Sequence, residues 1–230
     1  MDAFLQKLYE TFIVDDRWKY LTEGLKTTLV ITFFAVLLGM VIGFLVAVIR
    51  STHDMTGKMK VLNFISKIYL TVIRGTPVMV QLLIIYYVIF SSVRIDKTFV
   101  GILAFGINSG AYVAEIVRSG IMSIDRGQFE AGASLGMNYP KTMLWIIMPQ
   151  AFKTVLPALA NECIVLLKET SVAGYIALED LTKGGDIIRS VTYEAFLPLI
   201  AVALIYLIMV VGLSTLVGKL ERRLKRSDRG

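Results

Sequence analysis

Five stretches of this chain approach the length and apolarity that crossing a bilayer requires, and little else a chain can be is compatible with that. A membrane-spanning helix needs roughly 20 mainly apolar residues, because no water is available inside the bilayer to satisfy a stray backbone group. The stretches are 21–49, free of charge after Lys26; 61–93, interrupted by Arg74-Gly75-Thr76-Pro77; 98–117; 151–176, which carries Glu162, Lys168 and Glu169; and 195–217, which has no charge at all. The expected fold is an all-α membrane protein with five transmembrane helices. Of its 230 residues 56% are hydrophobic and 18% charged, against about 25% charged in soluble domains, which excludes an ordinary soluble domain and a disordered chain. Cys163 is the one cysteine and His53 the one histidine, so neither a disulfide scaffold nor a metal site is expected.

Residues 1–20 carry Phe4, Leu5, Leu8, Phe12 and Ile13 near helical spacing. They lack the basic start and apolar run of a secretory signal, and read as an amphipathic helix lying at the membrane interface. Residues 21–217 form the transmembrane domain, and 218–230 a basic tail. Orientation follows from lysine and arginine in the short loops. Arg50, Lys58 and Lys60, Arg126 and Lys141 in the long loop 124–149, and six in the tail make eleven; the N-terminal segment and the other two loops hold seven. The N-terminus is therefore expected outside and the C-terminus in the cytoplasm. The net charge of +6 then reports cytoplasmic loops and headgroup contacts rather than nucleic-acid binding.

The long loop 124–149 falls inside the cell in this orientation. Asp125 is placed to cap a helix, and Ala131, Gly132, Ala133 and Ser134 leave that helix nearly bare. Gly136 suits the left-handed residue that ends a helix, and Pro140 the first turn of the next. Two short helices with an elbow at Gly136 are expected. Bare surface lets another backbone approach, so the helix reads as a docking knob; an interfacial helix resting on headgroups is the other reading.

The segment Glu130-Ala131-Gly132, Gly136, Ile146, Met148 and Pro149 resembles the EAA loop of the membrane subunits of ATP-binding-cassette importers. Gly132 and Met148 depart mildly from that motif. Arg74-Gly75-Thr76-Pro77 with Gln81-Leu82, Ala111-Tyr112 with Ala114-Glu115-Ile116 and Arg118, and Leu166–Ser171 are similar to the polar amino acid subfamily of these permeases. The resemblance covers about residues 20–220. It implies a second permease subunit, identical or paralogous, two cytoplasmic ATP-binding subunits and an extracytoplasmic amino-acid-binding protein, in a prokaryotic inner membrane. It places ATPase coupling on Glu130, Ala131, Gly132, Ala133, Ser134 and Gly136, the cytoplasmic coupling helix. The chain has no G-x-x-x-x-G-K-[ST] phosphate loop. No cofactor is therefore expected in it, ATP and magnesium being bound by the partner, and the chain itself is not an enzyme.

Polar residues inside spans are costly and face protein or water. Glu162, beside Asn161, is the deepest acid in the fourth span, where it can meet the cationic end of arginine, lysine or histidine; a structural pair at a subunit interface remains open. Lys168 and Glu169 divide between pathway and structure. Thr76 and Gln81, at the broken second span, are candidate pathway residues. Glu115 and Arg118 are spaced as a local ion pair. Glutamine or glutamate transport is the alternative substrate reading, and a stand-alone secondary carrier or channel the alternative class.

Overall fold

The computed structural model describes residues 3–227, and among these the secondary structure is helical throughout. A helical piece α1 (Ala3–Leu8) leads through a π turn and a 3-10 turn into α2 (Trp18–Thr56). Next come α3 (Lys60–Arg74), α4 (Val78–Ile84, continued by a π turn to Ile89), α5 (Lys97–Met122), α6 (Arg126–Ser134) and α7 (Tyr139–Thr142). The chain ends with α8 (Met148–Glu169, continued by 3-10 turns to Ile176), α9 (Leu181–Thr192) and α10 (Phe196–Ser227). Four segments are long and apolar enough to span a membrane, and α3 with α4 makes a fifth, bent by 106°.

The α2–α5 pair forms the most extensive contact, and its cause is written in side-chain size. The buried face of α2 runs Ile31, Ala35, Gly39, Gly43, Ala47, and such small residues let helix axes approach where lipid offers no hydrophobic drive. A Cβ on Gly43 would lie 2.4 Å from Val113 Cγ1. The opposite face of α2, with Phe33, Leu37, Val41 and Leu45, is also apolar but exposed, as a lipid-facing surface must be. More than half of the residues of α5 are buried, so α5 is the central post.

Two apolar clusters stack along that post. One gathers Ile31, Leu82, Phe105, Leu166 and Ile176; the other, toward the α6–α7 loop, gathers Val113, Ile121, Ile147, Val155 and Leu159. Between them lies a polar band of buried Gln81, Asn108, Ser109 and Glu162.

The break expected at Arg74-Gly75-Thr76-Pro77 is present: Gly75 closes α3, Pro77 is extended (φ −65°, ψ 137°), and α3 and α4 meet at a bend of 106°. Two other sequence expectations need correction. Residues 1–20 are not one continuous helix, since Asp15 and Asp16 adopt left-handed φ and break it before α2. The stretch between the last two spans, read as loop, contains α9. Asp180 caps α9, accepting from Thr182 N at 3.0 Å and Lys183 N at 3.1 Å. Its carboxyl is fully buried; burial pushes its pKa up while those amides pull it down. Gly24 and Gly184 let the backbones of α2 and α9 touch. Of the basic tail 218–230, residues 228–230 lie outside the described residues.

Candidate functional site

Glu162 is 9% exposed, and its Oε1 accepts a hydrogen bond from Ser109 Oγ at 3.0 Å. A buried carboxylate ordinarily pairs with a cation; here the hydrogen-bond partner is a hydroxyl. Ser109 reaches it because Gly39 of α2 leaves room: a Cβ there would lie 3.0 Å from Ser109 Cβ. Three helices thus fix one carboxylate. It lines a cavity of about 470 Å³ that extends along Tyr112, Glu115, Ser119, Thr154 and Ala158 to Arg74. Small-molecule sites run about 300–1,000 Å³, so an amino acid fits.

The other pathway candidates fall elsewhere. Gln81 Nε2 donates to Ile73 O at 2.8 Å, Thr76 O at 3.0 Å and Thr76 Oγ1 at 2.8 Å, while Gln81 Oε1 accepts from Asn108 Nδ2 at 3.0 Å. The break at Pro77 frees carbonyls that a continuous helix would satisfy, and Gln81 ties them off. Thr76 and Gln81 hold the bend together; they do not line the cavity beside Glu162. Asn161 and Lys168 are exposed on α8 and Glu169 is half-buried, also outside that cavity.

At the loop end of the bundle the expected Glu115–Arg118 pair is present at 2.7 Å, but it is part of something larger. Arg118 also contacts Asp54 at 3.3 Å, and Arg74 contacts Glu115 at 3.5 Å. Arg74 lies 5.7 Å above the Tyr112 ring. This network joins α2, α3 and α5, and no local spacing in the sequence announces its long-range members.

The loop itself folds as its turn residues dictate. Asp125 accepts from Gly127 N at 2.6 Å. Met137 N bonds Gly132 O at 3.0 Å and Gly136 N bonds Ala133 O at 2.9 Å, with Gly136 at φ 74°. This is the paired closure that a left-handed glycine permits. Asn138 caps α7, with Pro140 in its first turn. The Phe129 and Tyr139 rings stack at 6.3 Å, fixing α6 against α7. One expectation fails here. Gly132 is not part of the bare outer face: it is buried, and a Cβ on it would lie 2.7 Å from Thr142 Cγ2. The outer face consists of Glu130, Ala131, Ala133, Ser134 and Gly136, with Leu135, at 78% exposure, at its tip.

Residues 35–226 match the family described as binding-protein-dependent transport system inner membrane component. The chain belongs to this family. The permease is 36% identical over 212 residues to the arginine transport system permease protein of Bacillus subtilis, covering 91% of this chain and 94% of that one. It is 37% identical over 208 residues to the glutamine transport system permease protein of Escherichia coli, covering 89% and 93%. Among solved structures it is similar to an amino acid ABC transporter crystallised with histidines, at a TM-score of 0.82 and 42% identity, covering 92% of this chain and 98% of that one.

Membership in an inner-membrane family explains the outer surface of the permease. Exposed Phe33, Leu37, Leu204, Leu207 and Ile208 on α2 and α10 are lipid-facing rather than an aggregation hazard. By the same logic polar side chains on exposed faces of spans, such as Lys67 and Asn161, are costly to leave in lipid.

Proposed function

We propose that this permease is the membrane-spanning subunit of an ATP-driven importer of polar amino acids that prefers basic ones: arginine, lysine and histidine. The observation that carries the preference is Glu162, a buried carboxylate held by a hydroxyl and open to a cavity of amino-acid size. A guanidinium, ammonium or imidazolium arriving there supplies the positive charge that burial calls for. One relative named for arginine and a structure with histidines support it. A second reading, glutamine or glutamate, has equal support from several relatives named for glutamine transport. The same carboxylate accepts from a carboxamide N–H, so the readings differ in charge rather than shape.

In this reading 1–20 lies at the outer interface, 21–217 forms the pathway with a second permease subunit, identical or paralogous, and 218–230 is cytoplasmic. An extracytoplasmic binding protein delivers the amino acid. Two ATP-binding subunits dock on the outer face of α6, and their closing and opening bias the permease between outward- and inward-open states.

Reconstitution tests the function. In vesicles with the ATPase and binding protein, labelled arginine should accumulate only with ATP, and lysine and histidine should compete better than glutamine. Gradient-driven uptake by the permease alone would revive the secondary-carrier class, and equal competition by glutamine would remove the basic preference. Orientation has a separate check. With Cys163 replaced by serine, a cysteine at Lys58 should react with an impermeant maleimide only after the cytoplasmic side is opened, and one at Glu179 in intact cells. Reversed labelling overturns the orientation and with it the docking assignment.

A further inference from the structure

We propose that Arg74 receives the α-carboxylate of the transported amino acid, so that the common end of every substrate is held by one residue and the variable end is read by Glu162. The inference rests on the amino-acid reading above and adds to it the residue that serves the whole class.

The argument begins with α3. Lys67, Thr71 and Arg74 recur at helical spacing on one face, while Ile65 and Val72 on the other side are exposed and apolar. A cationic stripe on a span cannot face lipid at ordinary cost. It faces a second cavity of about 610 Å³, lined by Lys67, Thr71 and Arg74 with Arg50 of α2 and Tyr112 and Glu115 of α5. Three cations therefore surround one carboxylate there. Glu115 is already engaged by Arg118 at 2.7 Å, which leaves the cavity in excess of positive charge. A second observation points the same way: Arg50 Nε is buried with no hydrogen-bond partner. A donor in that condition is short of an acceptor.

The two cavities share a wall. Arg74, Tyr112 and Glu115 line both, and Glu162 and Arg74 line the first together, so the acidic and basic ends border one space. Helix α5 serves as a ruler between them. Ser109 holds Glu162 and Glu115 contacts Arg74; the six residues from 109 to 115 rise about 9 Å. An extended arginine or lysine, carboxylate at one end and cation at the other, matches the polarity of that space. Arg74 suits the task chemically. Its guanidinium offers five N–H donors in a plane that matches a carboxylate. The 3.5 Å contact with Glu115 and the Tyr112 ring beneath orient that plane without using up its donors. An anionic lipid phosphate is the competing occupant of the same cations. Continuity with the Glu162 cavity favours the amino acid.

The test uses the purified permease–ATPase complex in phosphatidylcholine nanodiscs and compares arginine, glutamine and agmatine, which is arginine without its α-carboxylate. The wild type should bind arginine about tenfold or more tightly than agmatine. Arg74→Gln should weaken arginine and glutamine alike by about the same factor and leave agmatine unchanged. Arg74→Lys should recover part of the loss. Glu115→Gln, which breaks the same ion pair but keeps the guanidinium, should not weaken binding. If agmatine falls together with arginine in Arg74→Gln, or Glu115→Gln reproduces the loss, Arg74 acts by joining helices and the inference is wrong. If Arg74→Gln instead abolishes competition by phosphatidylglycerol and leaves arginine binding intact, the site belongs to lipid. Failure of the basic preference is read separately, from Glu162→Gln acting equally on arginine and glutamine, and would leave the agmatine result standing.

Discussion

Replacing Glu162 with glutamine is expected to weaken uptake of arginine by about two- to thirtyfold while sparing glutamine. The replacement keeps the side-chain shape, and Ser109 Oγ, now 3.0 Å from Oε1, still finds an oxygen to donate to. Folding should therefore change little. What disappears is the charge. A hydrogen bond to a charged group is worth about 1.5–3 kcal/mol against about 1 for a neutral one, and 1.4 kcal/mol is about tenfold in binding. Only a substrate with a cationic side chain presents that charge to Glu162. The measurement is competition between arginine and glutamine in vesicles, paired with ATPase stimulation by free amino acid, because the binding protein filters substrates before the permease meets them. Equal loss for both amino acids would mark Glu162 as structural, holding α8 to α5 through Ser109. No loss for either would remove it from the pathway.

The membrane class, the approximate spans and the two-helix loop were legible in the sequence because each rests on local chemistry. Length and apolarity announce a span, Asp125 and Gly136 announce where α6 begins and ends, and Gly39 and Gly43 mark a helix seam. The signal for α9 was also there, in Asp180 followed by Leu181, Gly184, Gly185 and Ile188, all buried. It was hidden by shortness: 12 residues between two far stronger spans read as connection. What local chemistry does not carry is partnership across the fold. Gln81 and Thr76 are polar residues at a broken helix, a pattern shared by pathway residues and by residues that repair the break. Only the bonds from Gln81 Nε2 to the carbonyls of Ile73 and Thr76 decide between them. Arg74 is the reverse case. Its pair with Glu115 exists, but the cavity on which both border is made by three helices and has no trace in any one of them.

Placing a tryptophan at Ala133 should leave the permease folded and inserted but cut ATP-dependent transport at least tenfold, the scale of a disrupted interface hot spot. Ala133 is exposed on the outer face of α6, so a large side chain there projects away from the bundle into whatever docks. The same residue at Gly132 is a poorer probe, although the sequence alone makes the two look equivalent. A Cβ at Gly132 already lies 2.7 Å from Thr142 Cγ2, so any side chain there separates α6 from α7 and dismantles the loop from within. The two variants should therefore part company. With Ala133→Trp, α6 keeps its amide hydrogen-exchange protection, while pull-down of the ATPase weakens or ATP hydrolysis proceeds without transport. With Gly132→Trp, protection of α6 is lost first and the functional loss follows from it. Exposed Leu135 beside the left-handed Gly136 gives the outer face an apolar tip, as a surface that seats in a protein cleft needs. Normal assembly and transport by Ala133→Trp would move the ATPase contact off this face, and with it the transmission of the ATP cycle to the helices that hold Glu162 and Arg74.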